Sequence, residues 1–194
     1  RPTHSNIRFP GLGVGGYCLT KDPAFAPAAA RQLFGEESLK FPFSQLALQI
    51  NQAMPAHTVV RMKNLLGESC KNTSILVLGV SYRQDVGDTR YSPVETLVRG
   101  LEADGAQVTC FDPFVDYWPE MDRCLPSHLP EAGSFDAVVL ATPHKEFFDL
   151  DLPKWLDGAR PVVLDTANVI SKDQRQCCRA AGIRIESVGR GDGL

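Results

Sequence analysis

Apolar residues along this chain follow two regimes, and the change between them divides it. Up to residue 66 the signals are helical: residues 1–9 show no period and lead into a glycine-rich loop, but farther on apolar residues fall mostly three or four positions apart, the spacing that lines one face of an α-helix. Ala24 to Phe34 is rich in helix formers and is closed by Gly35. From about Ser44 the residues Leu46, Ile50, Met54, Met62, Leu65 and Leu66 continue the pattern, and Gly67 is placed to cap its end. A single helix of that span would be about 35 Å long, with Pro55 as its expected kink. Such a helix suits a spine or a dimer surface as well as an ordinary core position.

Beyond the polar break at Lys71 to Thr73 the apolar residues come instead as short unbroken runs, the pattern of strands buried on both faces. These runs are Ser74 to Gly79, Gln107 to Phe111, Phe135 to Thr142, Pro161 to Asp165 and Ile183 to Val188. Helical stretches separate them. One opens on Ser92-Pro93-Val94-Glu95, a capping box with proline at the first helical position, and runs to about Asp104 before Gly105. Another spans Lys145 to Leu156 around Pro153, and a third Ser171 to Ala181. Residues 113 to 134 hold four prolines and read mostly as loop. The alternation predicts an α/β fold: an open parallel sheet with helices on both faces, preceded by the long connecting helix. In such sheets ligands sit beyond the carboxyl ends of the strands. Here those ends are Val80 to Arg90, Asp112 to Phe114, Thr142 to His144 and Thr166 to Asn168.

Composition narrows the function classes. Of 194 residues, 43% are hydrophobic and 22% charged, as in an ordinary globular domain with or without an appendage. A net charge of -3 argues against general nucleic-acid binding but leaves room for a local basic pocket that takes a phosphorylated small molecule. No apolar run reaches the length of a membrane span. Arg1 begins a polar stretch without the apolar segment of a signal peptide, and the chain opens as though cut from a longer one. The six cysteines, at 18, 70, 110, 124, 177 and 178, form no C-x-x-C pair, which points to a reducing cytoplasm. The four histidines show no metal-ligand spacing.

Chemistry concentrates in two stretches. The first is Pro10 to Pro23, PGLGVGGYCLTKDP. Its Gly11, Gly13 and Gly16 spell G-x-G-x-x-G, but a dinucleotide loop needs a strand before it and a helix at the third glycine, whereas Pro10 precedes this one and Asp22-Pro23 follows. Cys18 stands three residues from Lys21 and four from Asp22, so one turn would gather a nucleophile, a cation and a base. Asp22 is also a candidate N-cap with Pro23 at the first helical position. Cys18 could equally be a small buried hydrophobe, although Lys21 and the helix start would both favour a thiolate. The second stretch is VSYRQDVGDTRYSP after the first strand. Arg83 and Arg90 can grip phosphate oxygens and Tyr82 can stack on a base, unless Asp85 and Asp88 pair with the arginines on a solvated loop. His144 reads as a hydrogen-bonded structural residue at a strand end.

PGLGVGGYCLTKDP followed, after a long helix, by LGVSYRQDVGDTRYSPV resembles the UDP-glucose/GDP-mannose dehydrogenase family. These enzymes use NAD to oxidise the C6 hydroxyl of a nucleotide sugar to a carboxylate, and the chain is similar to their carboxyl-terminal half. The resemblance implies a catalytic-cysteine segment at residues 1–40, a connecting and dimerisation helix at 41–68, and a nucleotide-sugar-binding Rossmann-like domain at 69–194. It implies that Cys18 is the nucleophile of a four-electron oxidation passing through a thiohemiacetal and a thioester, with Asp22 activating water and Lys21 lending electrostatic support. Val14, Gly15 and Leu19 would line the sugar pocket, and Tyr82 and Arg83 would contact the nucleotide. Arg90 fits the motif in a structural or anion-binding capacity, and Arg1 lies near where a partner subunit's arginine would reach the substrate. NAD would be held by an amino-terminal domain outside this chain, leaving the chain inactive alone. The partners implied are a UDP-sugar and a second copy of the chain, in the cytoplasm, with no nucleic acid and no membrane. Where the family often carries a basic substrate contact after the fourth strand, this sequence has Asp165-Thr166-Ala167-Asn168. The form GVGGYC with Pro10-Gly11 in front is nearer to relatives acting on N-acetylated sugars. Two rivals remain: a non-catalytic nucleotide-sugar-binding or regulatory module, and a dinucleotide-binding protein using the strand at Ser74 to Gly79, which Val80-Ser81-Tyr82 follows in place of a glycine-rich turn.

Overall fold

The computed structural model describes residues 10–189. In chain order its helices are α1 (Phe25–Phe34), α2 (Pro42–Leu66), α3 (Pro93–Ala103), α4 (Lys145–Asp149), α5 (Leu152–Leu156) and α6 (Lys172–Ala180). Its strands are β1 (Ser74–Leu78), β2 (Gln107–Phe111), β3 (Tyr117–Trp118), β4 (Arg123–Cys124), β5 (Ala137–Leu140), β6 (Val162–Asp165) and β7 (Ile185–Ser187). Every expected strand is present, and all five lie parallel in one sheet of order β2-β1-β5-β6-β7.

Alternation along the strands sorts the core into two layers. Ile75, Val77, Cys110, Val139 and Leu164 face Met62 and Leu65 of α2 and Val94, Leu97, Val98 and Leu101 of α3. Their neighbours Leu76, Leu78, Phe111, Val138, Leu140 and Val163 pack with Phe147, Leu152, Leu156 and Cys178 of α4, α5 and α6. Both faces of the sheet are therefore covered, as unbroken apolar strands require. The chain passes from β1 outward to β2 and returns to the far side of β1 as β5, so the strand order reverses between β1 and β5. The carboxyl ends of those two strands flank the crevice in which α/β sheets bind ligands.

The elements depart from expectation in four places. Asp22 is not an N-cap: it opens a 3-10 turn (Asp22–Ala24) whose N-cap position is Lys21 and has no side-chain cap bond. Its carboxylate is taken by the Lys21 ammonium at 2.7 Å, an attraction a single orphan amide does not match. The capping box of α3 is half formed, because Ser92 accepts from the Val94 amide while Glu95 turns to Arg99 four residues on. The stretch around Pro153 is two helices, since Asp151 caps a new start by accepting from Lys154 and Pro153 stands in its first turn. Between β2 and β5 the expected loop contains the antiparallel pair β3 and β4, with Trp118 fully buried beneath it. α2 passes Pro55 without interruption and is capped by Gly67 in the left-handed conformation. No helix among the described residues is long and apolar enough to cross a membrane.

Candidate functional site

The glycine-rich stretch is laid across α2 on one side and the loop after β1 on the other. Leu12 anchors it in the core. Asn51 of α2 clamps the next turn from both directions, accepting from the Val14 amide at 2.7 Å and donating to the Val14 carbonyl at 2.8 Å. Pro55 has no N–H to give the Asn51 carbonyl its helical partner, and Gly13 passes that same carbonyl. Gly15 and Gly16 then meet the second candidate stretch. A Cβ on Gly15 would lie 2.6 Å from the Tyr91 carbonyl oxygen and 2.8 Å from the Tyr82 Cβ, and one on Gly16 would lie 2.7 Å from the Tyr82 ring. Only glycine lets the two segments approach this closely. Tyr17 continues the contact, its ring centroid 5.7 Å from that of Tyr91.

Cys18 sits on the turn that follows, and its carbonyl accepts the amides of both Lys21 and Asp22, at 3.1 and 2.9 Å. The thiol is exposed. The Lys21 ammonium bonds Asp22 and lies over the rings of Tyr17 and Phe25, 4.6 and 4.5 Å from their centroids. The bond to Asp22, more than any other neighbour, holds Lys21 above the usual lysine range. Cysteine, lysine and aspartate thus share one open turn. Val14 and Leu19 flank it with 52% and 67% of their surface exposed, and Gly15 is buried beneath. The other thiols differ: burial pushes Cys70 up to about 11 and Cys110 to about 12, and raises Cys178 as well, whereas Cys124 and Cys177 are exposed.

In the loop after β1, Tyr82 is half-buried and Arg83 exposed, with no hydrogen bond from Arg83 to any described residue. Arg90 behaves otherwise. Its guanidinium forks onto Asp88 at 3.0 and 2.7 Å, which lowers the Asp88 pKa and raises that of Arg90. Arg1 lies outside the described residues.

Sequence reasoning missed Asn51 and the depth of the network beneath this loop. Asp112, at the end of β2, is buried and accepts through one oxygen from the Val80 and Ser81 amides, at 2.8 and 3.0 Å, and from the Ser81 hydroxyl at 3.0 Å. Burial works against its charge, but the hydrogen bond from the His144 ring and those from the amides of Phe114 and Val80 outweigh it and hold the carboxyl below its ordinary range. The amides that would cradle a pyrophosphate after a first Rossmann strand are thereby committed to a protein carboxylate. Residues 11–16 sit in a loop rather than between strand and helix. Neither of these two stretches fits the pyrophosphate of NAD. The position of Asn51 four residues before Pro55 was the one sequence signal for the helix side of the clamp.

Comparison with known proteins accords with this geometry. The profile of the UDP-glucose/GDP-mannose dehydrogenase family, UDP binding domain, matches residues 76–172, half of the chain. The chain belongs to that family. Over 96% of its length it is 30% identical to a UDP-N-acetyl-D-mannosamine dehydrogenase of Methanococcus maripaludis, and over 93% it is 27% identical to a UDP-glucose 6-dehydrogenase of Bacillus subtilis. The crystal structure of an NDP-N-acetyl-D-galactosaminuronic acid dehydrogenase from Methanosarcina mazei superposes with a TM-score of 0.81 at 29% identity, covering 96% of this chain and 40% of that one. The chain spans 42% and 39% of the two sequence relatives and corresponds to their carboxyl-terminal half.

Proposed function

We propose that this chain is the substrate-binding half of an NAD-dependent nucleotide-sugar 6-dehydrogenase acting on a UDP-sugar. The observation that carries the reading is the seating of Gly15 and Gly16 on Tyr82, with Tyr17 on Tyr91, which joins the turn of the exposed Cys18 to the loop offering Tyr82 and Arg83. In this reading Tyr82 stacks on the uracil and Arg83 takes a phosphate oxygen, as suits a ring beside an exposed, uncommitted guanidinium. Arg90, committed to Asp88, shapes the loop. Val14, Gly15 and Leu19 line the sugar's approach to Cys18.

At the aldehyde stage the Cys18 thiolate adds to the C6 carbonyl carbon, forming a C–S bond and an alkoxide that is protonated to the thiohemiacetal. Once that carbon has been oxidised to a thioester, Asp22 takes a proton from water as the water oxygen bonds to C6, and the C–S bond breaks to return the thiolate. Lys21 offsets the negative charge that develops on oxygen, being positive and beside Asp22. Both oxidations need a hydride acceptor, which the reading assigns to NAD on a domain beyond these residues. Two chains pair through α2.

Titration calorimetry with UDP-glucose and with NAD tests the reading, with binding expected for the first alone. In parallel, iodoacetamide labelling read by mass spectrometry should find Cys18 shielded by the UDP-sugar while Cys124 and Cys177 are not. NAD binding without any response to a UDP-sugar would refute it.

A further inference from the structure

His144 is fully buried, between the rings of Phe114 and Phe147 at 5.1 and 5.5 Å. Its two nitrogens have opposite tasks. The Asp85 backbone N–H, which can only donate, reaches Nδ1 at 2.9 Å. Nδ1 therefore carries no proton, and Nε2 carries it and donates to Asp112 Oδ2 at 3.0 Å. That carboxylate oxygen also gathers the Val80 and Ser81 amides. The start of the loop and its middle are thus fastened to one imidazole–carboxylate pair, and Tyr82 and Arg83 span the interval between the two fastenings. Asp85 holds φ 56, a left-handed conformation that aspartate adopts more readily than most side chains. Its carboxylate accepts from the Lys145 amide at 2.8 Å, tying the same residue to the loop after β5 across the crevice. Asp85 and Asp112 are the ionisable groups that face the ring.

The geometry points to His144 as a positioning residue for nucleotide binding: the neutral imidazole, oriented by Asp112, fixes the Asp85 amide and so the path of Tyr82 and Arg83. This rests on the nucleotide-binding reading of that loop. His144 touches no substrate in this arrangement and acts only through the backbone it holds.

Two variants of similar bulk separate the positioning bond from mere filling of the core. His144→Asn keeps a carboxamide oxygen near the place of Nδ1, where it can accept from Asp85. His144→Gln keeps a donor near the place of Nε2, for Asp112, and leaves the Asp85 amide without its acceptor. Circular dichroism first establishes that both are folded. Calorimetry with UDP-glucose should then find His144→Asn within about threefold of the unaltered chain and His144→Gln weaker by about tenfold or more, the loss expected when a partly buried donor is left unpaired and the loop it holds is released. Hydrogen exchange without ligand should show faster exchange across residues 82–90 in His144→Gln alone. His144→Gln binding as tightly as His144→Asn, or equal loop exchange in the two, would overturn the positioning role. Absence of UDP-glucose binding by the unaltered chain would instead overturn the nucleotide reading, and the exchange comparison would still decide whether His144 holds the loop.

Discussion

Gly16 carries two constraints that only glycine, among the amino acids, satisfies together. Its φ is +86 and its Cα faces the Tyr82 ring so closely that a Cβ would stand 2.7 Å away. Alanine there must either strain the backbone or push the ring aside, so Gly16→Ala should lower stability by about 2 kcal/mol, read by urea denaturation. It should also weaken UDP-sugar binding, because Tyr82 moves. Asp112 makes a second prediction at this scale. Its carboxyl titrates below the unfolded value of about 3.9, so its contribution to stability is present above that pH and is lost as pH falls through the folded value. Urea midpoints measured from pH 6 down to pH 3 should fall below about pH 4. In Asp112→Asn the buried donors face an amide group, which should cost about 3 kcal/mol at neutral pH and flatten that acid limb. A limb unchanged by the substitution would place the acid sensitivity elsewhere.

Among the elements, α2 is more than a connector, because Asn51 reaches from it to hold the loop that bears Cys18. Asn51→Ala removes both bonds to Val14, one of which closes on a backbone amide. The helix should survive, while limited proteolysis between residues 10 and 22 accelerates and Cys18 alkylation loses its protection by UDP-sugar. How legible each element was depends on the range of what specifies it. α2, α3 and the strands of the main sheet follow from apolar spacing within a few residues, and the glycine caps at 35, 67 and 105 mark ends that the structure keeps. The half-formed capping box failed because Glu95 had a second partner in Arg99 that the local motif does not weigh. β3 and β4 escaped notice because strands of two residues leave no period to read. The Asp112–His144 bond joins residues 32 apart, and the Asn51–Val14 clamp residues 37 apart. Sheet topology brings the first pair together and the packing of the glycine-rich loop on α2 the second, so local spacing pairs neither.

Taken whole, the molecule keeps its two cores around the sheet and leaves α1 and the first half of α2 poorly covered. Phe25, Leu33, Phe34, Phe43, Leu46 and Ile50 each expose more than half of their surface. Phe43, Leu46 and Ile50 stand at i, i+3 and i+7, one stripe along α2. The residues of that helix that do reach the core, Pro55, Thr58, Met62 and Leu65, all lie in its second half. A contiguous apolar stripe of this kind marks a surface built to be covered. Pairing of two copies through α2 is the cover we propose, and it predicts self-association with this chain alone. Sedimentation equilibrium at tens of micromolar should report a dimer, and Ile50→Glu should return a monomer with nearly unchanged thermal stability, because the altered side chain is exposed within one chain. A glutamate there would carry a charge into the pair, adding a desolvation cost to lost apolar burial. A monomer for the unaltered chain would overturn the pairing. In that case Ile50→Glu would leave the mass unchanged.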